Sequence, residues 1–215
     1  MLKKYIFYFL IFFNSFPFSK TYYEKFEEAL QLYKDRRYRL SEHKFKNILA
    51  EDRDFKDPVS HLFVAKSQTH QGFWSNARRT CKTFLANYRN SPYEIDIYIL
   101  LGDCAFNEGK ITLAFQNYLN ARKKISNIEY KNDLDQRIYN CIGIGLSEKK
   151  IEGMLFREGN NFNRAIINLA RAYQSWLYGN DFNMKSLIKE IDTYFLPGKF
   201  SNLFRELKKV ANKNL

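Results

Sequence analysis

An offset of twelve residues constrains this chain more than any bulk property. Small residues pair at that interval three times: Ala29 with Ser41, Ala65 with Ala77, and Gly102 with Ala114. Seven residues after the first member comes Arg36, Gly72 or Gly109, and nine after it comes bulky Tyr38, Trp74 or Ile111. Sixteen after it comes Phe45, Cys81 or Tyr118. Small side chains where two helices cross let the backbones approach closely, and Gly frees the backbone for a tight turn between them. Each unit therefore reads as a helical hairpin, and the units follow one another at 36 and 37 residues.

Local chemistry agrees with this phasing. Asp57-Pro58 reads as an N-cap followed by Pro at the first helical position, where its missing N–H costs nothing. Ser91-Pro92 offers the same chemistry at the start of the third unit, and residues 91–122 are its best-formed copy. Beyond Arg122 the register loosens. Asn132 to Leu146 predicts a helix with Leu134, Ile138, Tyr139 and Ile142 on one face, and Ser147 is placed to cap a short helix ending near Gly159. A degenerate fourth unit is read at Gly153, Asn160, Phe162, Ala165, Leu169 and Ala172, 51 residues after the third. Ala165 to Tyr178 predicts a helix terminated by Gly179. Met184 to Phe195, stopped by Pro197-Gly198, and residues 200–211 predict two closing helices that cap an array.

The expected fold class is all-α. Hydrophobic residues make up 45% and aromatics 17% of the 215 residues, enough for a packed interior, while only four Pro and nine Gly interrupt it. Residues 20–180 are expected to form a helical repeat domain and 181–215 the C-terminal capping helices. Residues 1–19 read as an export signal: Met1-Leu2-Lys3-Lys4 is positive, Tyr5 to Phe13 is an apolar run, and Pro17 falls in the break that follows. That run is far short of the ~20 residues a spanning helix needs. The expected location is periplasmic or otherwise exported after cleavage; the alternative is an uncleaved N-terminal membrane anchor.

Leu101-Gly102, Ala105-Phe106, Gly109, Ala114, Tyr118 and Ala121 together resemble the tetratricopeptide repeat (TPR) signature, with Trp74, Ala77 and Phe84 in similar positions one unit earlier. The resemblance is strongest over residues 58–122. It implies a right-handed α-α superhelix, a TPR solenoid, of about three to four helix pairs plus C-terminal capping helices. The spacing, longer than the minimal repeat of about 34 residues, and the linker from Tyr88 to Tyr93 resemble exported bacterial cell-envelope TPR proteins of the outer-membrane assembly and Tol–Pal-associated type. No Cys lies near the leader boundary, a departure from the lipid-anchored members. The resemblance further implies a concave groove lined by Tyr33, Lys34, Lys66, His70, Asp103, Phe106 and Asn107, receiving a protein or peptide partner of the envelope. This aromatic, basic and amide mixture suits an extended peptide of acidic character.

The formal net charge is +12, from 35 basic and 23 acidic residues. Arg36, Arg37 and Arg39 cluster, as do Arg78, Arg79 and Lys82. A second functional reading makes these a basic patch for an anionic membrane surface or cell-wall polymer; the bland reading is a solvated surface with scattered charge. The export signal argues against nucleic acid. A third reading makes the chain the helical module of a larger envelope protein.

Enzymatic chemistry finds little footing. His43, His61 and His70 form no metal-ligand spacing with Cys or carboxylates, and no Gly-rich phosphate loop or nucleophile elbow is present. Asp96, Asp103 and Glu108 share a helix without a tuned neighbour. No cofactor or metal is expected, and the chain is read as non-enzymatic. Cys81 and Cys104 fall on neighbouring helices, where a disulfide is geometrically allowed, although small buried core thiols are the commoner outcome. Cys141 makes the set odd.

Overall fold

Arg36, Gly72 and Gly109 all take left-handed backbone, with φ of 60°, 75° and 72°. Each closes the first helix in the same way. The residue's own N–H donates three residues back (Arg36 to Tyr33, Gly72 to Thr69, Gly109 to Phe106). The N–H of the following residue donates five residues back from itself: Arg37 to Leu32, Phe73 to Gln68, Lys110 to Ala105. This is the Schellman pairing, which satisfies the orphan carbonyls of a helix C-terminus and turns the chain sharply. Three hairpins result.

The computed structural model describes residues 20–51, 57–125, 128–191 and 193–213, so the expected leader, residues 1–19, lies outside the described residues. Among these the chain is helical throughout, with no strand. The hairpins are α1 (Tyr22–Lys34) with α2 (Tyr38–Glu51), α3 (Pro58–His70) with α4 (Trp74–Asn87), and α5 (Glu94–Asn107) with α6 (Ile111–Arg122). Then come α7 (Ile128–Ile144), α8 (Glu148–Leu155), α9 (Asn161–Leu177), α10 (Asp181–Glu190), a 3₁₀ turn at Thr193–Phe195, and α11 (Gly198–Lys213). Each helix from α1 to α6 packs on the next, and α3 also touches α5.

The phased positions occupy equivalent environments. Ala29, Ser41, Ala65, Ala77, Gly102 and Ala114 are all buried where the two arms cross. In the first hairpin the Ser41 hydroxyl donates across that crossing to the Ala29 carbonyl at 2.9 Å. Phe45, Cys81 and Tyr118 are buried behind it. Tyr38, Trp74 and Ile111 each begin the second arm and are half-buried.

The expected fourth unit at Gly153 is not formed. Gly153 is exposed on α8, a Cβ there would meet nothing within 4 Å, and Asn160 has φ −86° as the N-cap of α9. The fourth hairpin in phase is α9–α10. From Ala172 the same offsets give Gly179 (φ 70°), Asp181 as first residue of α10, and buried Met184 and Ile188. Gly179 N–H donates to Trp176 and Asn180 N–H to Ser175, the same pairing as before. Gly153 misled because a small residue without a neighbouring helix close by makes no crossing. The hairpin straddles residue 180, where the closing helices were expected to begin, so α10 is its second arm, while α11 packs across α9 and α7.

Two caps differ in outcome. The Asp57 carboxylate accepts the Ser60 N–H at 2.9 Å and the Tyr22 hydroxyl at 2.7 Å, with Pro58 opening α3, as expected. Ser91 does not cap α5. That helix starts at Glu94, whose carboxylate reaches back to the Asn90 N–H at 2.6 Å, and Asn90 itself takes φ 62°. The chain turns there before the helix begins. Ser147 precedes α8 without a side-chain cap bond, and that helix ends at Leu155.

The interior runs along the chain. Phe45, Ile48 and Val64 form one cluster, Leu62, Cys81, Phe84 and Ile97 a second, and residues from Ala105 to Ala211 a third and larger one. Arg122 ties the third together: it donates to both Asp135 oxygens (2.6 and 3.3 Å) and stacks 4.2 Å from the Phe162 ring centroid. Such forked, part-buried pairs fix orientation better than exposed ones.

Candidate functional site

Because each hairpin turn follows the last turn of its first arm, the C-terminal ends of α3 and α5 lie side by side. There they border a hollow of about 510 Å³, closed by the start of α4 and by one face each of α6 and α7. Its walls are Thr69, His70, Trp74, Asp103, Phe106, Asn107, Tyr118, Arg137 and Asn140.

Polar bonds set its shape. One Asp103 oxygen accepts both the Tyr118 hydroxyl, at 2.8 Å, and the Arg137 guanidinium. Arg137 also donates to Asp133 at 2.9 Å, one helical turn earlier. Burial, then the neighbouring Asp103 charge, pushes the Tyr118 hydroxyl far above its ordinary range, so it stays a donor. Asp103 is thus a brace joining α5, α6 and α7, not a free base. Asn107 donates its amide to the Asp103 carbonyl at 2.8 Å, leaving its own oxygen open, and Asn140 accepts from Gln136 at 2.7 Å, leaving its NH₂ open. At the other rim, His70 lies flat on Tyr38 (4.4 Å between centroids, 8° between planes), with its Nε2 2.9 Å from the Tyr33 hydroxyl. Burial, reinforced by Lys66 and Arg36, holds the His70 pKa below its ordinary value, favouring the neutral ring.

Four of the seven expected groove residues, His70, Asp103, Phe106 and Asn107, border this one hollow. Tyr33 stands behind His70, half-buried against Phe63. Lys66 instead pairs with Asp96 of α5 at 3.1 Å, and Lys34 is exposed at the end of α1. Lining residues that sequence reasoning missed fall in two groups. Trp74 and Tyr118 had been assigned to packing, and each does both jobs. Arg137 and Asn140 lie on α7, beyond the register; their spacing of three, with Asp133 one turn before, was the available signal.

The basic residues are not equivalent. Arg36, Arg37, Arg39, Arg79 and Lys82 are exposed. Arg78 is part-buried and turned onto Glu108, which Lys110 also holds at 2.7 Å. Cys81, Cys104 and Cys141 are free and buried. Burial raises all three thiols, Cys104 to about 11 and Cys141 to about 12. His43 is exposed, 3.3 Å from the Asn47 amide, and His61 packs edge-on against Phe84. Among the described residues no helix is long and apolar enough to cross a membrane.

Fold and hollow together define an all-α chain of consecutive helical hairpins with a side-chain-lined depression between adjacent first arms. No protein-family model and no curated protein matches this chain.

Proposed function

We propose that this chain is a TPR-like, non-enzymatic interaction scaffold of the bacterial cell envelope, and that an extended peptide segment of a partner protein lies in the hollow between α3 and α5. The observation that carries this reading is the pairing of aromatic walls (Trp74, Phe106, His70) with two open amide groups, the Asn107 oxygen and the Asn140 NH₂. Flat apolar walls take up a side chain, and open amides match the N–H and C=O of an extended backbone. Asp103 and Arg137 neutralise each other, so the pocket selects by shape and backbone pairing more than by charge. Four hairpin turns with the same internal offsets, three of them at 36- and 37-residue spacing, support the TPR-like superhelical reading, and the leader sequence supports export.

A photocrosslinking residue at exposed position 73, beside the rim residue Trp74, used in intact cells with mass spectrometry of the product, tests the proposal while leaving both open amides in place. Asn107→Ala combined with Asn140→Ala removes both open amides from exposed positions. The double variant is expected to melt like the wild type and to capture the crosslinked partner at least about tenfold more weakly. Unchanged capture would overturn the reading. Export is checked separately by fusing residues 1–19 to a reporter active only outside the cytoplasm.

A further inference from the structure

A second hollow, also about 510 Å³, opens between α6, α8 and the start of α9, away from the peptide site. Lys123, Lys149, Lys150 and Arg157 all line it, against a single carboxylate, Glu158. That carboxylate is already engaged, one oxygen accepting the Asn160 N–H at 2.9 Å and the other the Asn163 amide at 2.8 Å. Neighbouring cations are matched: Arg122 by Asp135, Lys124 by Glu94 at 2.7 Å, and Arg171 by Glu152 at 3.1 Å. Among the described residues, the four cations facing the hollow have no acidic partner. Its floor includes the buried apolar side chains Leu119 and Ile167, a low-dielectric backing that strengthens the field of the charges above it.

From this we infer that the hollow between α6 and α8 binds a multiply charged, phosphate-bearing anion. Four unmatched cations converging on one concavity repel each other, and an anion carrying several negative oxygens relieves that repulsion at several points together. The planar fork of Arg157 pairs two oxygens of one phosphate, while the lysines act as point charges on the rest. The volume lies within the range of small-molecule sites, ~300–1,000 Å³. The phosphate could come from a soluble organic phosphate or from a lipid headgroup. This site stands apart from the proposed peptide hollow and does not depend on it.

The test uses the full chain, with inorganic pyrophosphate by titration calorimetry and, in parallel, phosphatidate-containing vesicles by flotation. Two variants address the site. Lys149→Glu with Lys150→Glu reverses two charges, and Gly153→Glu projects an anion into space where a Cβ meets nothing within 4 Å. Arg79→Glu with Lys82→Glu, on α4, is the charge-matched control. Wild type is expected to bind in low salt and to weaken sharply by about 0.3 M salt. Both site variants should lose at least about tenfold in affinity, while the control keeps wild-type affinity. Binding in the pyrophosphate arm alone identifies a soluble anion, and binding in the vesicle arm alone identifies a headgroup; either supports the site. No binding in either arm overturns it, as does an equal loss in the control or no loss in the site variants.

Discussion

Gly102 is the position where the packing argument can be tested most sharply. A Cβ built there would stand 2.5 Å from Tyr118 Cδ1 and 2.9 Å from Cζ, with Cε1 closer still. The ring cannot simply swing away, since Tyr118 is only 2% exposed and its hydroxyl is tied to Asp103 at 2.8 Å. Forcing a methyl group into a packed site costs roughly 1–3 kcal/mol. Displacing the hydroxyl adds about 1 kcal/mol or more for the lost bond to a carboxylate. Against this, Gly→Ala inside a helix gains about 1 kcal/mol. Gly102→Ala is therefore expected to lose about 2 kcal/mol, lowering the melting temperature by roughly 4–8 °C for a chain of this size. Gly102→Leu should unfold the array. Melting followed by far-UV circular dichroism measures the first, and a cycle with Tyr118→Leu locates the cause. Removing the ring removes both costs and leaves the helix gain, so Gly102→Ala should become neutral to stabilising, a coupling of about 2–3 kcal/mol. A Gly102→Ala protein melting at or above wild type, or strictly additive single effects, would refute the crossing argument.

Three other outcomes follow from the same geometry. Arg36→Gly should raise the melting temperature by a few degrees, because it removes the roughly 1 kcal/mol strain of a non-Gly residue at φ 60°, whereas Gly109→Ala should lower it similarly; opposite signs in thermal melts are required. Glu42 is buried enough that desolvation raises its pKa, but hydrogen bonds from Lys46 (2.6 Å), Gln68 and Gln71 (2.8 Å each) outweigh this and hold it low. A depressed folded-state pKa gives stability that is present above the unfolded value and lost as pH falls through the folded one; acid unfolding below about pH 4 should therefore flatten in Glu42→Gln. Finally, a thiol reagent should label none of Cys81, Cys104 and Cys141 in the native protein and all three in denaturant; rapid labelling of the folded chain would contradict their burial.

The turn positions were legible from the sequence alone because their cause is local. A helix end needing left-handed backbone at one residue selects Gly there, and Arg36 could be found only because the surrounding offsets held. The caps show the limit of local reasoning: Asp57-Pro58 and Ser91-Pro92 read alike, yet only the first caps. At the second, Asn90 and Glu94 form a competing turn that the pair of residues does not announce.

What the sequence by itself determined, then, is the all-helical class and the spacing of the first three hairpins, since both rest on contacts within about twenty residues of each other. Tertiary structure decided the rest. It placed the fourth hairpin at Gly179 instead of Gly153, because a small residue matters only where another helix comes close. It also brought Arg137 and Asn140 of α7 to the hollow that His70 and Asn107 border. Lys66 and Arg78 became ion pairs within the fold, and the unmatched charge gathered at Lys123, Lys149, Lys150 and Arg157. Charge matching depends on which helices meet, and that is fixed by packing between residues far apart in the chain.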